Sequence, residues 1–163
     1  MASKLTSASA SCRFCQIALH ANYIVFEDAL SIAFLDYRPL FTGHTLLIPK
    51  AHYETLADLP AELVGPFFLS VQLLARGVEE GMHAEGSFVA INNRVSQSVP
   101  HLHVHIVPRR KKDGLRGFFW PRQAQPGEAH MQEAQAAIRS ALARISGHPS
   151  QMARMVELNP DNL

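Results

Sequence analysis

Residues 100–108 constrain the fold more than any other stretch of the sequence. They read P-H-L-H-V-H-I-V-P, so histidine alternates with an apolar residue between two prolines. Because successive side chains of a β-strand point to opposite faces, His101, His103 and His105 would share one face of a strand. In an α-helix the same three histidines would spread over roughly 200° and could not converge. The pattern therefore predicts a strand over residues 101–107 that displays a row of imidazoles.

Such a row of histidines could have one of three roles. A polar strand facing solvent would leave the alternation unexplained. A metal site built from the row alone is disfavoured, because three ligands from one straight strand converge poorly on a tetrahedral ion. In nucleophilic catalysis, the central imidazole would attack while its neighbours orient it and bind the charged group under attack.

The rest of the sequence predicts an α+β fold. Apolar residues at spacings of three and four predict a long helix that ends near Met82 and a second helix over residues 128–145. Because of Pro60 and Pro66, the first helix either opens near Gly65 or is preceded by a short turn. Four further β-rich runs predict strands at residues 23–27, 31–35, 44–48 and 87–92, the first two as a hairpin. Hairpin-connected strands with segregated helices are typical of the α+β class.

Length and charge exclude several other classes of protein. The chain has 163 residues and a formal net charge of +1, which suits one globular domain and provides no basic field for a nucleic acid duplex or a membrane surface. No apolar run approaches the roughly 18 residues of a membrane span. Residues 1–11 are expected to form a disordered tail rather than a secretory signal. Two cysteines are too few for a disulfide framework, which favours a reducing, cytoplasmic location.

The histidine row and four other blocks resemble the histidine triad superfamily. The row fits the signature His-φ-His-φ-His-φ-φ, where φ is apolar, and the other blocks follow in the family's order at residues 12–17, 32–36, 43–52 and 97–99. The resemblance implies a triad domain over residues 12–112, with residues 113–163 as a C-terminal extension. It also implies a five-stranded antiparallel sheet, one long helix, shorter helices, and a homodimer that extends the sheet.

Members of this superfamily are mostly nucleotidyl hydrolases and transferases, and the resemblance assigns the catalytic roles. His103 would attack the α-phosphorus of a nucleotide and form a nucleotidyl-imidazole that water then cleaves. His101 and His105 would flank the phosphate. His44, on a neighbouring strand, would support the triad.

The resemblance also implies a nucleotide pocket. Asp36 would hold the ribose hydroxyls, Gln97 and Ser98 would contact the phosphate or leaving group, and Asn92 would lie in the same pocket. The candidates for the base slot, each of which could equally be core packing, are Phe14, Ile17, Phe34 and Tyr37.

Two stretches differ from what relatives often carry. Relatives often have a glycine-rich loop before the glutamine, whereas residues 93–96 read N-R-V-S, which puts a backbone phosphate cradle in doubt. The basic residues 109–112 could meet a polyphosphate tail or form a solvated turn.

A zinc site is a further implication of the resemblance. Cys12 and Cys15 with His52 and His101 would complete a Cys₂His₂ set that suits Zn²⁺, and some triad proteins and the related galactose-1-phosphate uridylyltransferases hold zinc in this way. Other triad proteins carry similar cysteines without metal. A zinc ligand could not also bind phosphate freely, so His101 either ligates zinc or binds phosphate.

The substrate is not fixed by these motifs. The G-H pair at residues 43–44 and the P-R pair at 108–109 favour a dinucleoside polyphosphate hydrolase that releases AMP. The C-x-F-C start at residues 12–15 resembles purine nucleoside phosphoramidases. A nucleotide-binding module without turnover is the alternative from another class.

Overall fold

The computed structural model describes residues 11–20, 23–115 and 127–146, which contain three α-helices and five β-strands. The strands are β1 (Ile24–Glu27), β2 (Ser31–Leu35), β3 (Thr45–Pro49), β4 (Gly86–Ile91) and β5 (Val104–Arg109). The helices are α1 (Arg13–His20), α2 (Ala61–Gly81) and α3 (Glu128–Ser146), with a short 3₁₀ turn at Leu56–Asp58. The strands form one antiparallel sheet in the order β1-β2-β3-β5-β4, which confirms the predicted α+β class.

The strand that carries the histidines begins later than the sequence predicts. The prediction of a strand over residues 101–107 is wrong at its start, because β5 begins at Val104. Before that point the backbone bonds to loops, since His101 N–H donates to the carbonyl of Val99 and Leu102 N–H to that of Tyr53. Only His105 of the three histidines therefore lies within the sheet.

The two faces of the sheet pack against different partners. Helices α2 and α3 cover one face, where the buried strand residues are Val25, Ala33, Leu35, Leu47, Val104 and Ile106. On the other face, Cys12 and Phe14 from the N-terminal segment pack with Ile32, Phe34, Leu46 and Ile48. The alternation of β2 and β3 thus fills two cores, as residues buried on both faces of a sheet must. The triad lies against the second, smaller core.

Helix α2 begins at Ala61 and contains Pro66 in its second turn. By length and composition it is apolar enough to cross a membrane, which the sequence analysis did not anticipate. Buried core helices of globular proteins can have the same length and apolar composition. One face of α2 is buried, and its apolar members are Phe67, Val71, Leu74 and Val78.

Helix α3 crosses α2 where α2 carries glycine. A Cβ atom at Gly81 would lie 2.8 Å from backbone atoms of Ala137 and Ile138, whereas one at Gly65 would meet nothing within 4 Å. At Gly77 the nearest atom would be a side-chain carbon of Leu142, at 2.5 Å. The close approach of the two helix backbones therefore depends on Gly81.

We expect Gly81→Ala to lower the free energy of unfolding by about 1–3 kcal/mol, because the backbone of α3 must move to admit the methyl group. Gly65→Ala in the same helix is the matched control and should raise it by roughly 0.5–1 kcal/mol through helix propensity. Urea unfolding of both variants measures the difference. Equal stability of the two would contradict the close approach of α2 and α3.

Candidate active site

His103 is buried with a defined arrangement of its two ring nitrogens. Its side chain is 2% exposed, and Nδ1 lies 2.7 Å from the carbonyl oxygen of His101. Because a carbonyl can only accept, Nδ1 carries the hydrogen and Nε2 keeps its lone pair. Burial lowers the pKa of His103, which favours the neutral ring. His103 therefore offers a free basic nitrogen, as nucleophilic catalysis requires.

His44 and His105 form a hydrogen-bonded pair beside His103. The N–H of Leu40 donates to Nδ1 of His44 at 3.2 Å, so Nε2 of the neutral ring carries the hydrogen. That Nε2 donates to Nδ1 of His105 at 3.0 Å, which leaves the hydrogen of His105 on its own Nε2. Burial lowers the pKa of both rings to about 3. His105 is thus a neutral hydrogen-bond donor. Its ring centroid lies 4.9 Å from that of His103.

Asp36 lies at the outer end of this pair. Its Oδ1 accepts the N–H of Arg38 at 2.9 Å, and its Oδ2 lies 3.4 Å from Nδ1 of His44. Asp36, His44 and His105 are close enough to suggest a cation site. Both nitrogens of His44 are already engaged, however, by Leu40 and His105. Hydrogen bonding therefore accounts for both nitrogens of His44 without a metal ion, while the Asp36 carboxylate accepts from the Arg38 N–H.

The aromatic candidates for the base slot lie in different environments. Phe14 packs edge-on against His103, with ring centroids 5.2 Å apart, and against Phe34 at 5.9 Å. Both phenylalanines are buried. Tyr37 is 66% exposed, and the side chain of Ile17 lies outside the described residues. Of these candidates, Phe14 is in ring contact with the imidazole of His103.

The loop before the triad adopts a glycine-like backbone without glycine. Arg94 and Ser96 have φ of 65° and 60°, in the left-handed region that few non-glycine residues adopt. The side chain of Gln97 is engaged within the protein, since Oε1 accepts the N–H of Arg94 and Nε2 donates to the carbonyl of Glu54, both at 2.6 Å. Asn92 follows β4 directly and is partly buried.

Sequence reasoning missed two supports of this loop. Asn93 Oδ1 accepts the N–H of Leu56 at 2.8 Å, and the Glu54 carbonyl holds Gln97. Neither contact has a signal in the sequence, because each joins residues about 40 positions apart in a loop.

A cleft of about 310 Å³ lies beside this loop. Its lining includes Ser98, Val99 and Pro100 from this loop, together with Arg13, His52 and Glu54. Ser98 is exposed in the cleft, and Arg13 adds a positive charge. The cleft therefore places a hydroxyl and a guanidinium side chain within one concave surface.

Four residues predicted as metal ligands come together. Nδ1 of His101 lies 3.4 Å from Sγ of Cys12 and 3.5 Å from Sγ of Cys15, and Nδ1 of His52 lies 3.4 Å from the same Cys15 atom. A tetrahedral zinc ion with ordinary bond lengths requires nitrogen–sulfur separations of about 3.6 Å. Both cysteines are free thiols. The cluster can therefore bind a metal ion.

The ring of His101 is oriented for this cluster. Its Nε2 donates to the carbonyl of Pro49 at 2.9 Å, so the lone pair of Nδ1 faces the two sulfur atoms. Burial lowers the pKa of His101 to about 4, which keeps that lone pair available. The sequence is compatible with either metal ligation or phosphate binding by His101, and this orientation favours metal ligation.

The basic run at residues 109–112 is largely tied to the fold. Arg109 forms two hydrogen bonds with the carboxylate of Asp113, Arg110 donates to the carbonyl of Met82, and Lys111 N–H donates to Glu85. These contacts connect the end of β5 to the α2–β4 connection. They support the interpretation of the run as a turn.

Comparison with known proteins assigns the family. The family model described as HIT domain matches residues 20–112. The chain belongs to the histidine triad family. It is similar to a Zn-bound histidine triad family protein from Mycobacterium smegmatis, with a TM-score of 0.73 and 38% identity over 85% of this chain and 98% of the other.

Two relatives of this triad protein have named activities. It is 32% identical to adenylylsulfatase HINT3 of Arabidopsis thaliana over 64% of this chain. It is 36% identical to the asymmetrical bis(5'-nucleosyl)-tetraphosphatase of Schizosaccharomyces pombe over 56% of this chain. The matches span 55% and 52% of those two proteins. The family thus includes hydrolases of nucleotide derivatives.

We expect acid to destabilise the protein through His44 and His105. Unfolded histidine titrates near pH 6.5, whereas both folded rings have a pKa of about 3. As the pH falls below about 6.5, the unfolded state comes to bind up to two more protons than the folded state, and the free energy of unfolding should fall by up to about 2.7 kcal/mol per pH unit from this pair.

Urea unfolding at a series of pH values measures this slope. His44→Gln removes one of the two groups and should reduce the slope by about 1.4 kcal/mol per pH unit. Gln72→Ala, at an exposed position of α2, removes no titratable group and should leave it unchanged. An unchanged slope in the His44 variant would show that this ring is not held neutral.

Proposed function

We propose that this protein is a nucleotidyl hydrolase that cleaves at the α-phosphate of a dinucleoside polyphosphate through a nucleotidyl intermediate on His103. The observation that carries the proposal is the bond from His103 Nδ1 to the carbonyl of His101, which leaves a neutral Nε2 with its lone pair. An imidazole in this state can attack phosphorus without first losing a proton.

The reaction has two displacements. In the first, Nε2 of His103 attacks the α-phosphorus, a P–N bond forms, and the P–O bond to the remaining phosphates breaks with its electron pair on the leaving oxygen. In the second, water attacks the same phosphorus, the P–N bond breaks with its electron pair returning to Nε2, and a proton of the attacking water passes to solvent. The water oxygen stays on the nucleoside monophosphate, and the ring regains its lone pair. The products are a nucleoside monophosphate and the remaining nucleotide.

The other residues would bind the substrate. The Nε2–H of His105 would donate to a non-bridging oxygen of the α-phosphate, where negative charge builds up in the transition state. Asp36 is 21% exposed, so its carboxylate can accept hydrogen bonds from ribose hydroxyls. Ser98 would contact the phosphates. Asn92 would do so from the end of β4, and the base would pack near Phe34 and Tyr37.

Two observations support a dinucleoside polyphosphate as substrate. The cleft of about 310 Å³ beside Ser98 has room for a chain of phosphates, and its lining includes the guanidinium of Arg13 as well as the carboxylate of Glu54. The similar protein of Schizosaccharomyces pombe is an asymmetrical tetraphosphatase by name. Attack at an α-phosphorus is inherently asymmetrical, because it splits diadenosine tetraphosphate into AMP and ATP.

We expect the protein to convert diadenosine tetraphosphate into AMP and ATP, measured by chromatography of the products. His103→Ala should lower the rate at least about 1,000-fold, because it removes the nucleophile. His130→Ala is the matched control for loss of an exposed histidine and should keep full activity.

Other products would assign a different function. Two ADP molecules would place the attack elsewhere on the chain. Faster release of AMP from adenosine phosphoramidate would make the protein a phosphoramidase. Tight AMP binding without turnover of either substrate would make it a binding module.

We also propose that the cluster of Cys12, Cys15, His52 and His101 holds one structural zinc ion. The bound ion would supply a crosslink between the start of α1 and the segment that precedes β5. The donor set supports zinc, because two thiols and two imidazoles with one oriented lone pair suit its tetrahedral coordination. The similar protein from Mycobacterium smegmatis is Zn-bound by name.

Elemental analysis of protein purified without a metal-affinity tag should find about one zinc ion per chain. Cys15→Ser should reduce the zinc content several-fold and lower the melting temperature, since a ligand and the crosslink are lost. His83→Asn, at an exposed position, should change neither quantity. A zinc content near zero in the unmodified protein would contradict this assignment.

The remaining proposals follow from the family. We infer a cytoplasmic homodimer in which β4 extends the sheet, since β4 is an edge strand whose residues are only partly buried or exposed.

A further inference from the structure

We propose that Gln97 is a positioning residue for His103 rather than a ligand of the substrate. Its amide would hold the His101 carbonyl and the loop of residues 93–96 in place. The carbonyl would in turn orient the imidazole of His103, and with it the lone pair on Nε2. This inference rests on the proposed attack by His103. It differs from the role that the family resemblance assigns to Gln97, which is contact with the phosphate or the leaving group.

The amide of Gln97 is committed to the backbone at both ends. Oε1 accepts the N–H of Arg94 at 2.6 Å, while Nε2 donates to the carbonyl of Glu54 at 2.6 Å and to that of His101 at 3.3 Å. Backbone N–H groups only donate and carbonyls only accept, so the orientation of the amide is unambiguous. Both donor hydrogens have acceptors within the protein, and a substrate oxygen would have to displace one of them.

The carbonyl of His101 receives two hydrogen bonds. One comes from Nε2 of Gln97, and the other comes from Nδ1 of His103 at 2.7 Å. A carbonyl oxygen has two lone pairs and can accept both. Because the Gln97 bond fixes this oxygen from one side, it restricts the direction from which His103 can donate. The direction of the lone pair on the opposite nitrogen of His103 follows from that restriction.

The same amide supports the unusual backbone of the loop. Arg94 and Ser96 have positive φ without being glycine, and such conformations persist only where the surroundings hold them. The bond from Arg94 N–H to Oε1 of Gln97 closes this loop over four residues, and the Glu54 bond attaches it to the neighbouring segment. Loss of the amide should therefore release the loop and the His101 carbonyl together.

Contact with the leaving group and positioning of His103 predict different dependence on the leaving group, whereas contact with the shared α-phosphate differs from positioning in leaving the tautomer of His103 unchanged. A contact with the leaving group stabilises only the step that expels it, so its loss should affect poor leaving groups most. Orientation of the nucleophile affects every attack at phosphorus to the same degree. Substrates that share the adenylyl group and differ in the leaving group separate the two.

The experiment compares Gln97→Met, which removes all three bonds, with Gln97→Glu, which keeps the acceptor for Arg94 and removes both donors. The substrates are diadenosine tetraphosphate, adenosine phosphoramidate and the p-nitrophenyl ester of AMP. Both variants should lower kcat and kcat/KM roughly 10- to 100-fold, with KM nearly unchanged. The factor should agree within about threefold for all three substrates. Gln72→Glu, at an exposed position of α2, is the matched control and should behave as the unmodified protein.

A second measurement does not depend on turnover. Nitrogen NMR of histidine-labelled protein should show the hydrogen of His103 on Nδ1 in the unmodified protein and in Gln72→Glu. In Gln97→Met it should show exchange between both tautomers. Losses that differ more than about tenfold between leaving groups would instead identify Gln97 as a leaving-group ligand.

An unchanged tautomer together with unchanged rates in both Gln97 variants would also overturn the proposal. If the unmodified protein turns over none of the three substrates, the proposed hydrolase function fails. The tautomer of His103 still decides whether Gln97 positions it.

Discussion

The hydrogen bond from His103 to the backbone carbonyl of His101 determines what the site can do. An imidazole has two nitrogens and no inherent preference strong enough to fix which one carries the hydrogen. A backbone carbonyl can only accept, so it resolves this ambiguity. It can serve His103 because β5 begins only at Val104. Had the strand started at His101, ladder hydrogen bonds would have competed for the same carbonyl. The late start of the strand is thus part of the site.

Burial and hydrogen bonding then assign roles to three chemically identical side chains without any net charge. Removal from water lowers the pKa of His44, His103 and His105, so all three are neutral. The Leu40 N–H sets the tautomer of His44, which sets that of His105 as a donor. As a result, His103 presents a lone pair and the neighbouring ring of His105 presents an N–H. A chain with a net charge of only +1 can handle a phosphate in this way, by a few oriented groups rather than by a broad basic field.

The sequence predicted the sheet and the identity of the histidine row, because both depend on local periodicity. The alternation of residues 101–107 could be assigned to a strand, but its starting point could not. That start depends on the carbonyl of Tyr53, which accepts from Leu102 across 49 positions of sequence. The contacts of Gln97 have the same origin, since Glu54 and His101 approach it only in the folded chain. The close packing of α3 against Gly81 has no local signal in the sequence either, because Ala137 and Ile138 approach it only in the folded chain.

His101 connects two parts of the molecule that the sequence could only treat as alternatives. Its ring is used completely, because Nε2 donates to Pro49 and Nδ1 faces Cys12 and Cys15. No ring nitrogen therefore remains for a phosphate oxygen. Its carbonyl, in contrast, accepts from His103. A single residue thus attaches the cysteine cluster by its side chain and orients the imidazole of His103 by its main chain. In the proposed reaction, His101 would therefore contribute through its backbone carbonyl, and the phosphate would be bound by the N–H of His105 rather than by the ring of His101.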